Sequence, residues 1–416
     1  MTLIEKIFAA KLKREKVSAG ETIFAPLDLV VGTDITVPLS VNVFRQIGAE
    51  RVFDPGKIVF INDHFVPAKD IAAANLAKSM KLFAQEQGIY HFFDVGRSGI
   101  CHITIPEEGL VKPGDIIVGA DSHTCTYGAL GAFAAGIGST DMAAAWATGE
   151  LWFRIPTTIK VIFSGKLNPY VSGKDLILYV LGKLGPAGAL YKALEFCGPV
   201  IDSLDMADRF TICNMAVECG AKTGLIAADN ITTAYLEEKG AGNGVLLTAD
   251  NDAIYERVLD IDVSRIEPLL AAPFDPSNVQ RVKDFEGTPI DQVVIGSCTN
   301  GRIEDFRVAH TIIKGQKVNF NTRLIVIPGS PRVLKQMVSE GILVDFIDAG
   351  AVIGPCTCGP CIGGHMGVLA KEEVGLYTTN RNFVGRNGAS DSRVFLCNPA
   401  VAAFSALHGK IRCPGK

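Results

Sequence analysis

Apolar residues along the chain follow two alternating patterns. Short runs rich in Val and Ile alternate with longer stretches whose apolar positions recur at helical spacing. The run inside RVFDPGKIVFINDH (51–64) predicts a strand that leads into Asp63 and His64. The next stretch, KDIAAANLAKSMKLFAQEQG (69–88), predicts a helix that stops at Gly88. GDIIVGADSHT (114–124) repeats the plan, with a turn, a buried strand and polar residues at its end. TTIKVIFSG (157–165) predicts a further strand. PIDQVVIGSCTNGRIEDFRVAHTII (289–313) and TRLIVIPGSPRVLKQMVSEG (322–341) each read as strand, turn and helix. Recurring βα units imply α/β domains, layered α/β/α around mainly parallel sheets. Ligands bind such sheets beyond the carboxyl ends of the strands, where the polar motifs stand.

A chain of 416 residues exceeds what one compact core supports. An Ile-Pro step at 155–156 and a proline-rich stretch at 266–280, read as a linker, divide it into units 1–157, 158–265 and 266–416. The N-terminal MTLIEKIFAAKLKREK places Ile4, Ile7, Phe8 and Leu12 on one helical face, which predicts an amphipathic helix and not a signal peptide. Residues 122–140 are uncharged up to Thr140, but His123, several hydroxyls and glycines make them a buried loop and helix start. The net charge of −4, without long runs of one sign, argues against nucleic acid or an anionic membrane as partner. Eleven cysteines without an export signal imply thiols in a reducing cytoplasm, not a disulfide framework.

Three of those cysteines crowd GPCTCGPCIGG (354–364): Cys356, Cys358 and Cys361. A fourth, Cys298, sits in GSCTNG on a strand-to-helix loop. Thiolates converging from two loops can hold zinc or an iron–sulfur cluster. Zinc knuckles use paired C-x-x-C units, and only Cys358 with Cys361 forms one in this group. A second constellation comprises Asp63 with His64, His102, and Asp121 with His123, imidazoles beside carboxylates that can move protons near neutral pH. Arg381 and Arg386, in TTNRNFVGRNG (378–388), are suited to clamping carboxylates. The three sets together point to an enzyme acting on a small di- or tricarboxylic acid, with a thiolate-bound metal as Lewis acid.

GADSHTCTYGALGAFAAGIGSTDM, TICNMAVECGAKTG, GSCTNGRIEDFR, CGPCIGG and NRNFVGR, in this order, resemble the aconitase superfamily over nearly the whole chain. The resemblance is strongest to its two-subunit hydro-lyases of hydroxy acids, with isopropylmalate the first expectation and homoaconitate or dimethylmalate the alternatives. It implies the first three aconitase-like α/β domains without the fourth, swivel domain. It also implies one [4Fe–4S] cluster on three ligands, Cys298, Cys358 and Cys361, leaving Cys356 surplus. Asp63 and His64 then protonate the departing hydroxyl, while His102, Asp121 and His123 line the iron and its water. Arg381 and Arg386 take the substrate's carboxylates, Thr33 lies near the substrate, and Asn214, Glu218 and Asn380 surround the cluster. Full-length relatives carry a serine base in a GSSR-like loop, absent from this chain. The resemblance therefore implies a separate small subunit that brings the base.

Overall fold

The computed structural model describes residues 1–242 and 244–415. Its strands form three parallel-rich sheets and one antiparallel ribbon. The first sheet orders its five strands His91–Phe93, Ile58–Ile61, Leu29–Thr33, Ile116–Gly119 and Phe133–Gly136, all parallel. Ile58, Val59, Phe60 and Ile61 are each fully buried, as a parallel strand covered on both faces requires. The second sheet runs Thr223–Leu225, Ala193–Cys197, Thr158–Ser164 and Arg257–Asp262, again all parallel. In the third, Arg393–Cys397, Val374–Tyr377, Gln292–Ile295, Arg323–Val326 and Val352–Ile353 are parallel neighbours.

The expected helices form at Leu3–Leu12, Ile71–Gln87, Ile303–Ile313 and Pro331–Ser339. Each has a physical start or stop. Thr2 and Glu5 close a capping box on the first, and Gly88 ends the second in the left-handed conformation. Ser330 accepts from Val333 N before the last.

Two segments differ from the sequence reading. The stretch 266–280 is not a free linker. Leu269–Ala271 and Val279–Arg281 extend the third sheet as antiparallel strands, the second at its edge, with Leu270 opposite Cys397 and Ala271 opposite Leu396. Prolines flanking short strands hide them, because an edge strand tolerates missing N–H groups nearby. Residues 122–140 are buried loop and helix start as expected, but also contain the strand Phe133–Gly136 and a 3₁₀ stretch, Ser122–Leu130. No helix among the described residues is long and apolar enough to cross a membrane.

Candidate active site

Strand ends position nearly every candidate side chain. Asp34 follows Leu29–Thr33, Asp63 and His64 follow Ile58–Ile61, and Asp121 follows Ile116–Gly119. On the third sheet, Cys298 follows Gln292–Ile295, the 356–361 thiols follow Val352–Ile353, and Asn380 with Arg381 follows Val374–Tyr377. Asn214 and Glu218 arrive from the helix Met206–Asn214 and the 3₁₀ turn Met215–Cys219.

Close backbone approach explains two glycines here. Gly296 has φ +150, and a Cβ there would lie 2.6 Å from the Ile327 carbonyl. Gly363, at φ +61, would place a Cβ 2.1 Å from the Arg386 carbonyl. Thus the cysteine loop and the arginine loop touch through a residue that must lack a side chain. Arg386 Nε donates to the Cys361 carbonyl at 3.1 Å, and Asn387 Nδ2 donates to Pro360 and Cys361 carbonyls.

The thiols converge. Cys298 Sγ accepts from Asn214 Nδ2 and Asn380 Nδ2, each at 3.2 Å. Ser297 Oγ lies 3.8 Å from that sulfur and 3.9 Å from Cys361 Sγ, which is itself 3.1 Å from Asn380 Oδ1. The backbone turn from Cys358 to Cys361 closes with a 2.9 Å bond. A hydrogen bond from Cys358, with help from Arg386 and His123, holds the Cys361 thiol well below its usual range. Two amide N–H groups aimed at one sulfur suit a thiolate acceptor, and no carboxylate is hydrogen-bonded to these three thiols among the described residues. This donor set fits a group held by three thiolates. Cys356 is buried and hydrogen-bonds to none of the three; burial pushes its thiol up to about 12.

The proton-bearing groups form one chain of contacts. Asp34 accepts from the backbone N of Asp63, His64 and Phe65 at 3.2, 3.0 and 2.9 Å. His64 Nδ1 pairs with Asp63 Oδ1, and its Nε2 lies 3.7 Å from Asp121 Oδ2. Burial opposes charge on His64, yet Asp63 and Asp34 outweigh it and hold the imidazolium well above the ordinary histidine range. Asp121 Oδ1 meets His102 Nε2 at 2.9 Å and accepts from His123 N at 2.8 Å. Burial would raise the Asp121 pKa, but His102, His123 and His64 hold it well below the carboxylate range. His123 Nε2 meets Glu218 Oε1 at 2.9 Å, and Arg381 Nε donates to the same oxygen at 2.8 Å.

Every candidate except Thr33 thus joins one connected site. Thr33 is buried at the strand end, its hydroxyl 3.1 Å from Thr36 Oγ1. Sequence reasoning missed Asp34 as a member, although it stands at a strand end as Asp63 and Asp121 do. It also missed Lys174 and Arg302. Arg302 donates to the carbonyls of Cys298 and His102 at 3.0 Å, while GRIEDFR reads only as a helix start.

Three thiols of one sheet facing histidine–carboxylate pairs of another define an α/β metal-cluster enzyme site. The aconitase family model (aconitate hydratase) matches residues 5–287 and 278–409, and the chain belongs to that family. It is 53% identical over 414 residues to the 3-isopropylmalate dehydratase large subunit of Moorella thermoacetica, covering 100% of this chain and 98% of that protein. It is likewise 53% identical over 416 residues to 3-isopropylmalate dehydratase large subunit 1 of Pyrococcus abyssi, with 100% and 98% covered. Among solved structures, Thermococcus kodakaraensis aconitase X in its holo-form matches with a TM-score of 0.55 at 12% identity, covering 98% of this chain and 99% of that one. That likeness is one of fold.

Proposed function

We propose that this chain is the cluster-binding large subunit of a hydro-lyase that interconverts 2-isopropylmalate and 3-isopropylmalate. The full-length similarity to large subunits bearing that name supports the activity. The single structural observation that carries the site is the convergence of Cys298, Cys358 and Cys361 opposite His64, Asp121 and His102. These three thiols would hold one [4Fe–4S] cluster. When bound, it supplies Lewis acidity toward the substrate's hydroxyl and an adjacent carboxylate.

The chain's own residues do the rest. Dehydration breaks a C–O bond and the C–H bond on the neighbouring carbon, and releases water. His64, held protonated by Asp63 and Asp34, gives its proton to the departing hydroxyl. Asp121 orients the His102 ring, accepts from the His123 backbone and keeps its negative charge, with Oδ2 facing His64 Nε2 at 3.7 Å. Arg381 and Arg386 each spend Nε inside the protein, on Glu218 and the Cys361 carbonyl. Their remaining guanidinium N–H groups take the substrate's carboxylates and offset the charge that develops as the C–H proton leaves.

That C–H proton needs a base. In this reading a small subunit supplies it, as a serine in a GSSR-like loop, and closes the cleft. The test is anaerobic assay of the iron- and sulfide-reconstituted chain, with and without the small subunit, across isopropylmalate, homoaconitate and dimethylmalate. The expected outcome is activity only with the partner and the highest kcat/KM for isopropylmalate. Full dehydratase activity from the chain alone would refute the shared site, and a preference for another acid would refute the substrate.

A further inference from the structure

Lys174, close to this site, is placed unfavourably on three separate grounds. It is completely buried, at 0% exposure. It sits in the first turn of the helix Gly173–Leu184, where the backbone dipole disfavours a cation. It also makes no ion pair among the described residues. Its donors go instead to the Thr378 and Thr379 carbonyls at 2.9 and 2.6 Å, with Asn300 Oδ1 more distant at 3.4 Å.

A buried charge without an opposite charge is strongly unfavourable, and either neutralises or is compensated by something else. The neighbourhood identifies what compensates this one. Thr379 is followed by Asn380, which bonds to the sulfurs of Cys298 and Cys361, and by Arg381, which pairs with Glu218. Asn300 follows Cys298 by two positions and passes its amide to Asp305 at 2.8 Å. Lys174 therefore grips both segments that surround the thiols. Burial lowers the ammonium pKa to about 8, against the raising influence of Cys397, Cys361, Cys298 and Asp305.

We propose that Lys174 is the buried countercharge of the thiolate-held cluster and the positioning residue of the loop that carries Asn380 and Arg381. Net charge around an iron–sulfur cluster sets its reduction potential, and outer contacts fix the ligands. A fixed positive charge makes the reduced, more negative cluster easier to form. Its removal makes the potential more negative and weakens retention of iron. The inference rests on the reading of the three thiols as cluster ligands.

The experiment uses the full chain, reconstituted anaerobically with iron and sulfide, as wild type and as Lys174→Met, Lys174→Gln and Lys174→Arg. Gln keeps a donor for the carbonyls without the charge, so it separates charge from hydrogen bonding. Redox titration followed by electron paramagnetic resonance gives the midpoint, and absorbance loss under a chelator gives retention. Met and Gln should both shift the midpoint to more negative values and lose iron about threefold or more faster, whereas Arg restores both. Wild-type midpoints in Met and Gln overturn the proposal. Failure of both neutral variants to fold, with Arg alone folding, makes Lys174 structural and also overturns it. A wild type that takes up no iron sinks the cluster reading instead, so the two failures are distinct.

Discussion

Asp34 holds the loop that carries His64, and removing its carboxylate should loosen that loop more than any other. Its two oxygens take three consecutive N–H groups, those of Asp63, His64 and Phe65, and Oδ1 also faces His64 Nδ1 at 3.5 Å. A hydrogen bond to a charged group contributes about 1.5–3 kcal/mol net, and the three here share one carboxylate, so they do not sum. Asp34→Asn keeps one acceptor and loses the charge, which makes a local loss of about 1.5–3 kcal/mol the expectation. Local opening is read by amide exchange, and each 1.4 kcal/mol is tenfold, so amides 63–65 should exchange roughly 10- to 100-fold faster. Amides of the strand Gln292–Ile295, on another sheet, serve as the internal reference and should not change. Hydrogen-exchange mass spectrometry with peptides spanning 60–68 and 290–297 measures both. Unchanged protection at 63–65 would show that the strand end holds this turn without Asp34, and the reasoning about His64 would fail with it.

Cys356→Ala should keep both iron and activity, whereas Cys358→Ala should lose the cluster; iron content and visible absorbance after anaerobic reconstitution decide it. Asp115 is lifted to about 6 by burial and by Asp28, so the folded chain holds its proton where the unfolded chain has lost it. Stability from this group is therefore greatest below pH ~4 and falls as pH rises to about 6, and Asp115→Asn should stabilise by ~1–2 kcal/mol at pH 7 but not at pH 4. Thermal unfolding of both chains at those two pH values checks the sign. Arg209 is fully buried and bidentate to Asp229, at 2.8 and 2.7 Å. Arg209→Met should cost about 2–4 kcal/mol, less than a wholly buried pair because Asp229 is 36% exposed, and a lower urea midpoint would report it.

The sequence made the βα units legible because their strands are uniformly apolar and their helices end on glycine or start on a cap, as at Gly88 and Ser330. Motif-bearing residues stood out for the same reason, since Asp63, Asp121 and Cys298 each follow an apolar run. The antiparallel strands at 269–271 and 279–281 were illegible, because they are three residues each and the prolines around them imitate a linker. Lys174 was illegible for a different reason. A lysine after a serine cap at the start of an amphipathic helix is the ordinary pattern of a solvent-facing residue, and only the third sheet packed over it makes it buried. Long-range burial has no local signature.

The residues proposed for acid–base chemistry and for holding the cluster share backbone contacts, which has a consequence for any variant of either. The Asp63 carbonyl accepts from Cys358 N at 2.8 Å and from Thr357 Oγ1 at 2.6 Å, while the Asp63 side chain pairs with His64 and takes Cys101 N at 2.9 Å. In the proposed roles, one residue thus sets both the imidazole that would give up the proton and the turn that would present a ligand thiol. The two sheets contribute different halves of the site, and this contact registers one against the other. Thr357→Val removes the hydroxyl that donates to the Asp63 and His64 carbonyls and accepts from Gly359 N, and leaves every thiol and imidazole side chain in place. It should therefore lower cluster retention and kcat together, because both depend on where the Asp63 carbonyl sits. A variant that loses activity while holding iron at the wild-type rate would show that the sheets are registered elsewhere, with Arg302 and its carbonyls of Cys298 and His102 the alternative joint.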